Sequence, residues 1–171
     1  GADTEVVCPN GTFNSGSRAQ HTCEDVGNGK RGEDGNGAYA ATGAIIAVDC
    51  ANGSYNAVGD GNCLDVGNGK RGEDGSGAYP TDGLGAITQA ECAAGTWNAD
   101  GTGDCEPASA GTCTSSNGTD CIGNDNTGAT SEVNPAAGKC ASLDGASCAG
   151  DTTGADTEVV CPNGTFNSGS R

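Results

Sequence analysis

Methionine is absent from this chain, histidine and tryptophan occur once each, and Val, Ile, Leu and Phe together make up 18 of its 171 residues. So small an apolar share, joined to a formal net charge of −16, is the composition of chains that stay unfolded. Hydrophobic burial alone therefore does not fold this one. No apolar run approaches the roughly 20 residues of a membrane helix, so no membrane span is expected in this stretch. No basic, apolar leader opens it either, and any signal or anchor is expected outside it. Seven Lys and Arg against 23 Asp and Glu repel a phosphate backbone and an anionic bilayer alike, which excludes nucleic acid as a partner. The one imidazole, His21, stands two residues before Cys23 without a counterpart elsewhere and reads as a surface residue. No two cysteines are closer than eight residues, which disfavours zinc knuckles and Cys-x-x-Cys redox chemistry. No catalytic residue and no cofactor is nominated, and the chain is not expected to be an enzyme.

What the sequence does have is glycine, 32 residues, and cysteine, 11. A cysteine-dense chain without a core reads as a scaffold held by disulfides in an oxidising compartment. Residues Gly1–Arg18 recur letter for letter as Gly154–Arg171, which sets a period of 153 residues. One period holds ten cysteines, and Cys161 is the next period's copy of Cys8, its partner expected past Arg171. Parity agrees with a window on a repeating polymer.

A shorter repeat lies inside the period. Cys8-Pro-Asn-Gly-Thr-Phe13-Asn14 closes at Cys23, Cys50-Ala-Asn-Gly-Ser-Tyr55-Asn56 at Cys63, and Cys92-Ala-Ala-Gly-Thr-Trp97-Asn98 at Cys105, with the opening cysteines 42 residues apart. Such spacings mean arrays. The glycine lets the chain turn tightly, Thr or Ser with the aromatic favours a short strand, and Asn, Asp and Gly return the chain to the closing cysteine. The unit is a cystine-closed hairpin. Two inserts, Asp25–Tyr39 and Asp65–Tyr79, differ only at Asn36 and Ser76, and each runs through an apolar approach, 44–48 or 84–87, expected to be a strand. After Cys105 the pattern changes to cysteines eight apart, Cys113 with Cys121 and Cys140 with Cys148. That section is expected to be the least regular. The boundaries are 1–49 for module 1 with its Gly-rich insert, 50–91 for module 2 with its insert, 92–153 for module 3 with a Ser/Thr/Asn-rich cysteine section, and 154–171 for the start of the next period. The fold class expected is small, disulfide-rich, mainly β and irregular: an elongated tandem array of cystine-stapled hairpin modules. Phe13, Tyr39, Tyr55, Tyr79 and Trp97 are the candidate packing residues.

Cys-Pro-x-Gly-Thr-Phe and its variants resemble the cysteine-rich repeats of ephrin-receptor-like type and the first module of tumour necrosis factor receptor repeats. More broadly they resemble EGF-like stalk or filament glycoproteins, such as the mastigoneme-like hairs of flagellated algae. In those families the cysteines flanking such a stretch pair with each other and the modules build extracellular stalks. The resemblance thus implies Cys8–Cys23, Cys50–Cys63 and Cys92–Cys105, and the same local pairing is adopted for Cys113–Cys121 and Cys140–Cys148. Beyond the closing cysteine the chain departs from the families, whose short Cys-x-x-Cys spacing is missing. Each loop of this size contributes about 2 to 3 kcal/mol on the loop-entropy account. Cystines rather than a core are expected to hold the fold.

The function expected is that of a structural subunit of an extracellular filament or cell-surface appendage, associating with copies of itself. The rival class is a cell-surface adhesin or receptor ectodomain that binds a ligand or calcium. Near-identical inserts, such as a lattice would keep, favour the first.

Asn10, Asn52, Asn117 and Asn163 each open an Asn-Gly-Ser/Thr triplet, the acceptor for N-linked glycan in a secreted protein, although Asn-Gly is also a plain turn dipeptide. Asp25, Asn28, Glu33 and Asp34, with the matching Asp65, Asn68, Glu73 and Asp74, gather oxygen ligands in a glycine loop and are the candidate calcium ligands. Their spacing departs from Asp-x-Asn-x-Asp-Gly, and Lys30 and Arg31 sit among them to neutralise the acids. Gly27-Asn-Gly29-Lys-Arg-Gly32 imitates a dinucleotide fingerprint but has neither the preceding strand nor the following helix that motif needs.

Overall fold

A computed structural model of the chain describes residues 7–16, 22–121, 123, 127–163 and 165. Among them there is no helix, and the strands pair in chain order into seven two-stranded ribbons. β1 (Thr12–Phe13) pairs with β2 (Glu24–Asp25), β3 (Lys30–Glu33) with β4 (Ile46–Asp49), and β5 (Ser54–Tyr55) with β6 (Leu64–Asp65). β7 (Lys70–Glu73) pairs with β8 (Thr88–Glu91) and β9 (Thr96–Trp97) with β10 (Glu106–Pro107). β11 (Cys113–Ser115) pairs with β12 (Ser131–Val133) and β13 (Lys139–Ser142) with β14 (Thr157–Val160). Five disulfides staple them: Cys8–Cys23, Cys50–Cys63, Cys92–Cys105, Cys113–Cys121 and Cys140–Cys148. The chain is a small disulfide-rich protein of tandem cystine-stapled β hairpins, paired locally throughout. The first apolar approach, 44–48, runs into β4, whereas the second, 84–87, is not itself a strand and β8 begins only at Thr88.

A finer unit than the 42-residue repeat emerges. Cys8, Val26, Cys50, Val66, Cys92, Ala108 and Pro135 are all buried, and each is followed three residues later by a glycine. Those glycines, 11, 29, 53, 69, 95, 111 and 138, all have positive φ, between 73° and 83°. In six of the seven the residue after the glycine donates its N–H back three residues, as Thr12 does to Pro9 O at 3.1 Å and Lys139 to Ala136 O at 2.9 Å. This is a β-turn with its third residue in the left-handed region, where a Cβ is costly. Each turn opens a strand. The section after Cys105 keeps this plan, with ribbons β11–β12 and β13–β14 in the register of β3–β4; sequence inspection misses it because the buried first residue changes from Cys or Val to Ala and Pro.

The interior is built of small residues. The buried apolar side chains among the described residues are cysteines, alanines, two valines and the prolines Pro80 and Pro135, while Ile45, Ile46, Leu64, Leu84 and Leu143 are exposed. Phe13, Tyr39, Tyr55, Tyr79 and Trp97 are half-buried. The chain divides into two compact units, Gly1–Asp65 with Gly72–Thr88, and Val66–Arg71 with Gln89–Arg171. In the second, Cys113, Ala141 and Ala155 form a small apolar cluster against which Cys121, Val133 and Ala149 pack.

Candidate functional site: a repeated interlock

The feature that recurs with the least variation is a main-chain interlock at the first residue of a turn unit. Cys50 donates its N–H to Gly29 O at 2.8 Å and accepts Gly85 N at 2.9 Å. Cys92 donates to Gly69 O and accepts Gly128 N, both at 2.8 Å, and Ala108 donates to Gly95 O at 3.0 Å and accepts Gly154 N at 2.7 Å. The donating glycine always begins a Gly-Ala pair. Its alanine, Ala44, Ala86, Ala129 or Ala155, is at most 2% exposed and takes the N–H of Asn14, Asn56, Asn98 or Thr114 at 2.9 to 3.0 Å. Phe13, Tyr55 and Trp97 form parallel bridges with the first three of these alanines. Because the partners are backbone atoms and a methyl group, side-chain identity elsewhere is free to drift.

Close approach imposes glycine at the turn itself. A Cβ on Gly69 would collide with Gly128 O, and one on Gly95 with Gly154 O, both backbone atoms that cannot swing aside. The asparagine that ends the second and third aromatic motifs is a buried hub. Asn56 Nδ2 donates to Lys30 O at 2.8 Å and Gly61 O at 2.9 Å while its Oδ1 accepts Val58 N and Gly59 N. Asn98 does the same with Thr102 O, Gly103 O, Asp100 N and Gly101 N. An amide has two donors and two acceptor lone pairs, so both are fully used. The recurrence of Asn after the aromatic was the sequence signal for this role.

The sequon asparagines Asn10, Asn52, Asn117 and Asn163 are all exposed. Two carry the same clamp: Tyr39 donates its hydroxyl to Asn10 Oδ1 at 3.1 Å, and Tyr79 donates to Asn52 Oδ1 at 3.0 Å. Asn10 Nδ2 also donates to Asp60 O. Asn117 instead folds into its own turn, its Oδ1 accepting Thr119 N at 2.8 Å and Asp120 N at 3.0 Å. His21 lies outside the described residues.

Among the described residues the candidate acids Asp25, Glu33, Asp34, Asp65, Glu73 and Asp74 form no group of three. Asp25, Asn28, Asp65 and Asn68 point to solvent. Glu33 is 8% exposed and holds the Arg31 guanidinium at 2.7 Å, while Glu73 is half-buried. Lys30 pairs with Asp49 across β3–β4 at 2.8 Å. Asp34 accepts the N–H of Asn36 at 2.8 Å and of Ala38 at 3.3 Å, and these bonds hold its carboxyl below the ordinary range. Asp74 is lowered likewise, first by the Ser76 hydroxyl and then by the Ser76 N–H. Among the described residues no three His, Cys, Asp or Glu converge as a metal site would require. Further on, Asp144 is lowered well below the usual carboxylate range by the N–H groups of Ser147 and Ala146. At Glu158 burial works against ionisation, but hydrogen bonds from Lys139 and Ala136 N outweigh it and lower the pKa.

No helix among the described residues is long and apolar enough to cross a membrane. Five disulfides are typical of chains that fold in oxidising compartments. No protein-family model matches the chain, and no curated protein matches it significantly.

Proposed function

We propose that this chain is a structural subunit of an extracellular filament or cell-surface appendage, glycosylated at exposed sequons and associating with copies of itself. The observation that carries the reading is the interlock repeated at Cys50, Cys92 and Ala108, in a sequence whose first eighteen residues return as its last eighteen. An element that offers the same backbone acceptor and donor at each recurrence can be extended without new chemistry, which is how repeat proteins gain stability from neighbours. A surface charge of −16 keeps such material soluble until it docks. Electron microscopy of the purified protein tests this: fibres are expected, and discrete particles at all concentrations overturn it. Peptide mapping before and after glycosidase treatment tests occupancy at Asn10, Asn52, Asn117 and Asn163.

One observation favours the rival adhesin or receptor reading. A cleft of about 160 Å³ lies beside Trp97, lined by Asp100, Thr102, Asp104 and Glu106, and its tryptophan is the only one in the chain. A saturable change in Trp97 fluorescence with a soluble ligand, in protein that forms no fibres, would favour that class.

A further inference from the structure

The terminal ribbon holds a strand that is seated almost entirely by main-chain atoms. β14 pairs antiparallel with β13, Lys139 opposite Val160, Cys140 opposite Val159, Ala141 opposite Glu158 and Ser142 opposite Thr157. Its lead-in is anchored by Gly154 N to Ala108 O at 2.7 Å, Thr114 N to Ala155 O at 3.0 Å and Gly123 N to Asp156 O at 3.0 Å. Ala155 is 0% exposed and Asp156 6%. The Glu158 side chain adds to the register: it takes Lys139 Nζ at 2.5 Å and Ala136 N at 2.8 Å. Cys161 N closes the seat on Gly138 O at 3.0 Å.

The occupant of that seat, Gly154-Ala-Asp-Thr-Glu-Val-Val-Cys161, is identical to Gly1-Ala-Asp-Thr-Glu-Val-Val-Cys8. The seat therefore cannot tell the two apart by any contact it makes. We propose that Gly1–Cys8 of a second copy exchanges into the place of Gly154–Cys161, joining chains head to tail by strand exchange. This deepens, and rests on, the reading of the chain as a self-associating subunit. Exchange of an identical element leaves every contact intact, and only the tether 143–153 favours the chain's own strand, by an effective concentration of roughly millimolar order. Glu5 then does for the joint what Glu158 does within the chain.

Charge reversal separates the two occupants. Glu158→Lys sets a positive side chain against Lys139 and disfavours the chain's own strand, while Glu5 of another copy remains an acceptable partner. Light scattering at tens of micromolar is expected to give at least a doubling of mass for the Glu158→Lys chain relative to the Glu5→Lys, Glu158→Lys chain. Equal masses for the two overturn the proposal. A labelled peptide of residues 1–8 with Ser for Cys8 provides the second readout: it is expected to bind the Glu158→Lys chain at least about 10-fold more tightly than the unaltered chain, whose own strand competes. Should Glu158→Lys disturb folding, the full chain carrying Lys139→Glu is expected to prefer the same peptide with Lys in place of Glu5; no preference, with all five disulfides intact by non-reducing mapping, again overturns it. Fibres by microscopy with no difference between the charge variants sink strand exchange and leave the filament reading. Mass doubling in the Glu158→Lys chain, with no fibres from the unaltered protein, does the reverse.

Discussion

The regions before and after Cys105 close the same hairpin by different means. In the first, Arg31 and Tyr39 stand eight residues apart, and so do Arg71 and Tyr79; in the second, that spacing belongs to Cys113–Cys121 and Cys140–Cys148. The backbone equivalence is direct: Ala40 donates to Gly32 O at 3.0 Å after Tyr39, and Ala149 donates to Ala141 O at 2.7 Å after Cys148. In the first region Arg31 forks onto Glu33 and reaches Asn62 Oδ1 at 3.1 Å, while Tyr39 holds Asn10. In the second a covalent bond joins the two positions. The turn glycine and the ribbon register fix the geometry, and the side chains at these two positions only choose how firmly it is shut.

The comparison can be broken most severely by reducing every disulfide. Five bridges contribute roughly 10 to 15 kcal/mol, as much as a typical domain's whole stability, so full reduction is expected to abolish NMR chemical-shift dispersion in both regions. Retained dispersion would mean the small-residue interior suffices. Next in size is Asn98→Ala, which strands Asp100 N, Gly101 N, Thr102 O and Gly103 O and is expected to cost about 3 kcal/mol in urea denaturation. Paired substitutions sharpen the contrast itself. Removing Cys140 and Cys148 together is expected to cost about 2 kcal/mol, whereas Arg31→Cys with Tyr39→Cys is expected to close a sixth local disulfide, visible as a 31–39 link in non-reducing peptide maps. A failure of that link to form would mean the two hairpins are not equivalent.

Acid is a milder probe. Asp34, Asp74, Asp100, Asp144 and Glu158 all have lowered pKa values in the folded chain. For such groups the stabilisation is present above the unfolded value of about 4 and is lost as the pH falls through the lower folded values. Urea midpoints are thus expected to be flat above about pH 5 and to fall steadily below about pH 4. The smallest effect is assigned to Lys30→Ala, since the Lys30–Asp49 pair is 40% and 49% exposed and such pairs are worth no more than about 1 kcal/mol.

Much of this was legible in the letters alone. The β character and the two near-identical inserts follow from turn residues whose preferences are local, and local cystine pairing is what the family resemblance implied. The section after Cys105 read as irregular because its turn units open with Ala108 and Pro135, which carry no visible motif. The hub role of Asn56 and Asn98 was present only as an unexplained recurrence.

The sequence by itself determined where the chain turns and where its hairpins close, because a left-handed glycine and a short loop are decided within a few residues. Only the tertiary structure decided that Val26, Val66, Ala108 and Pro135 occupy the place of the opening cysteines, that Gly-Ala pairs dock on Cys50, Cys92 and Ala108, and that Arg31 with Tyr39 stands where a cystine stands later. Those equivalences are written in backbone hydrogen bonds between residues tens of positions apart, and a backbone amide is the same in every residue but proline.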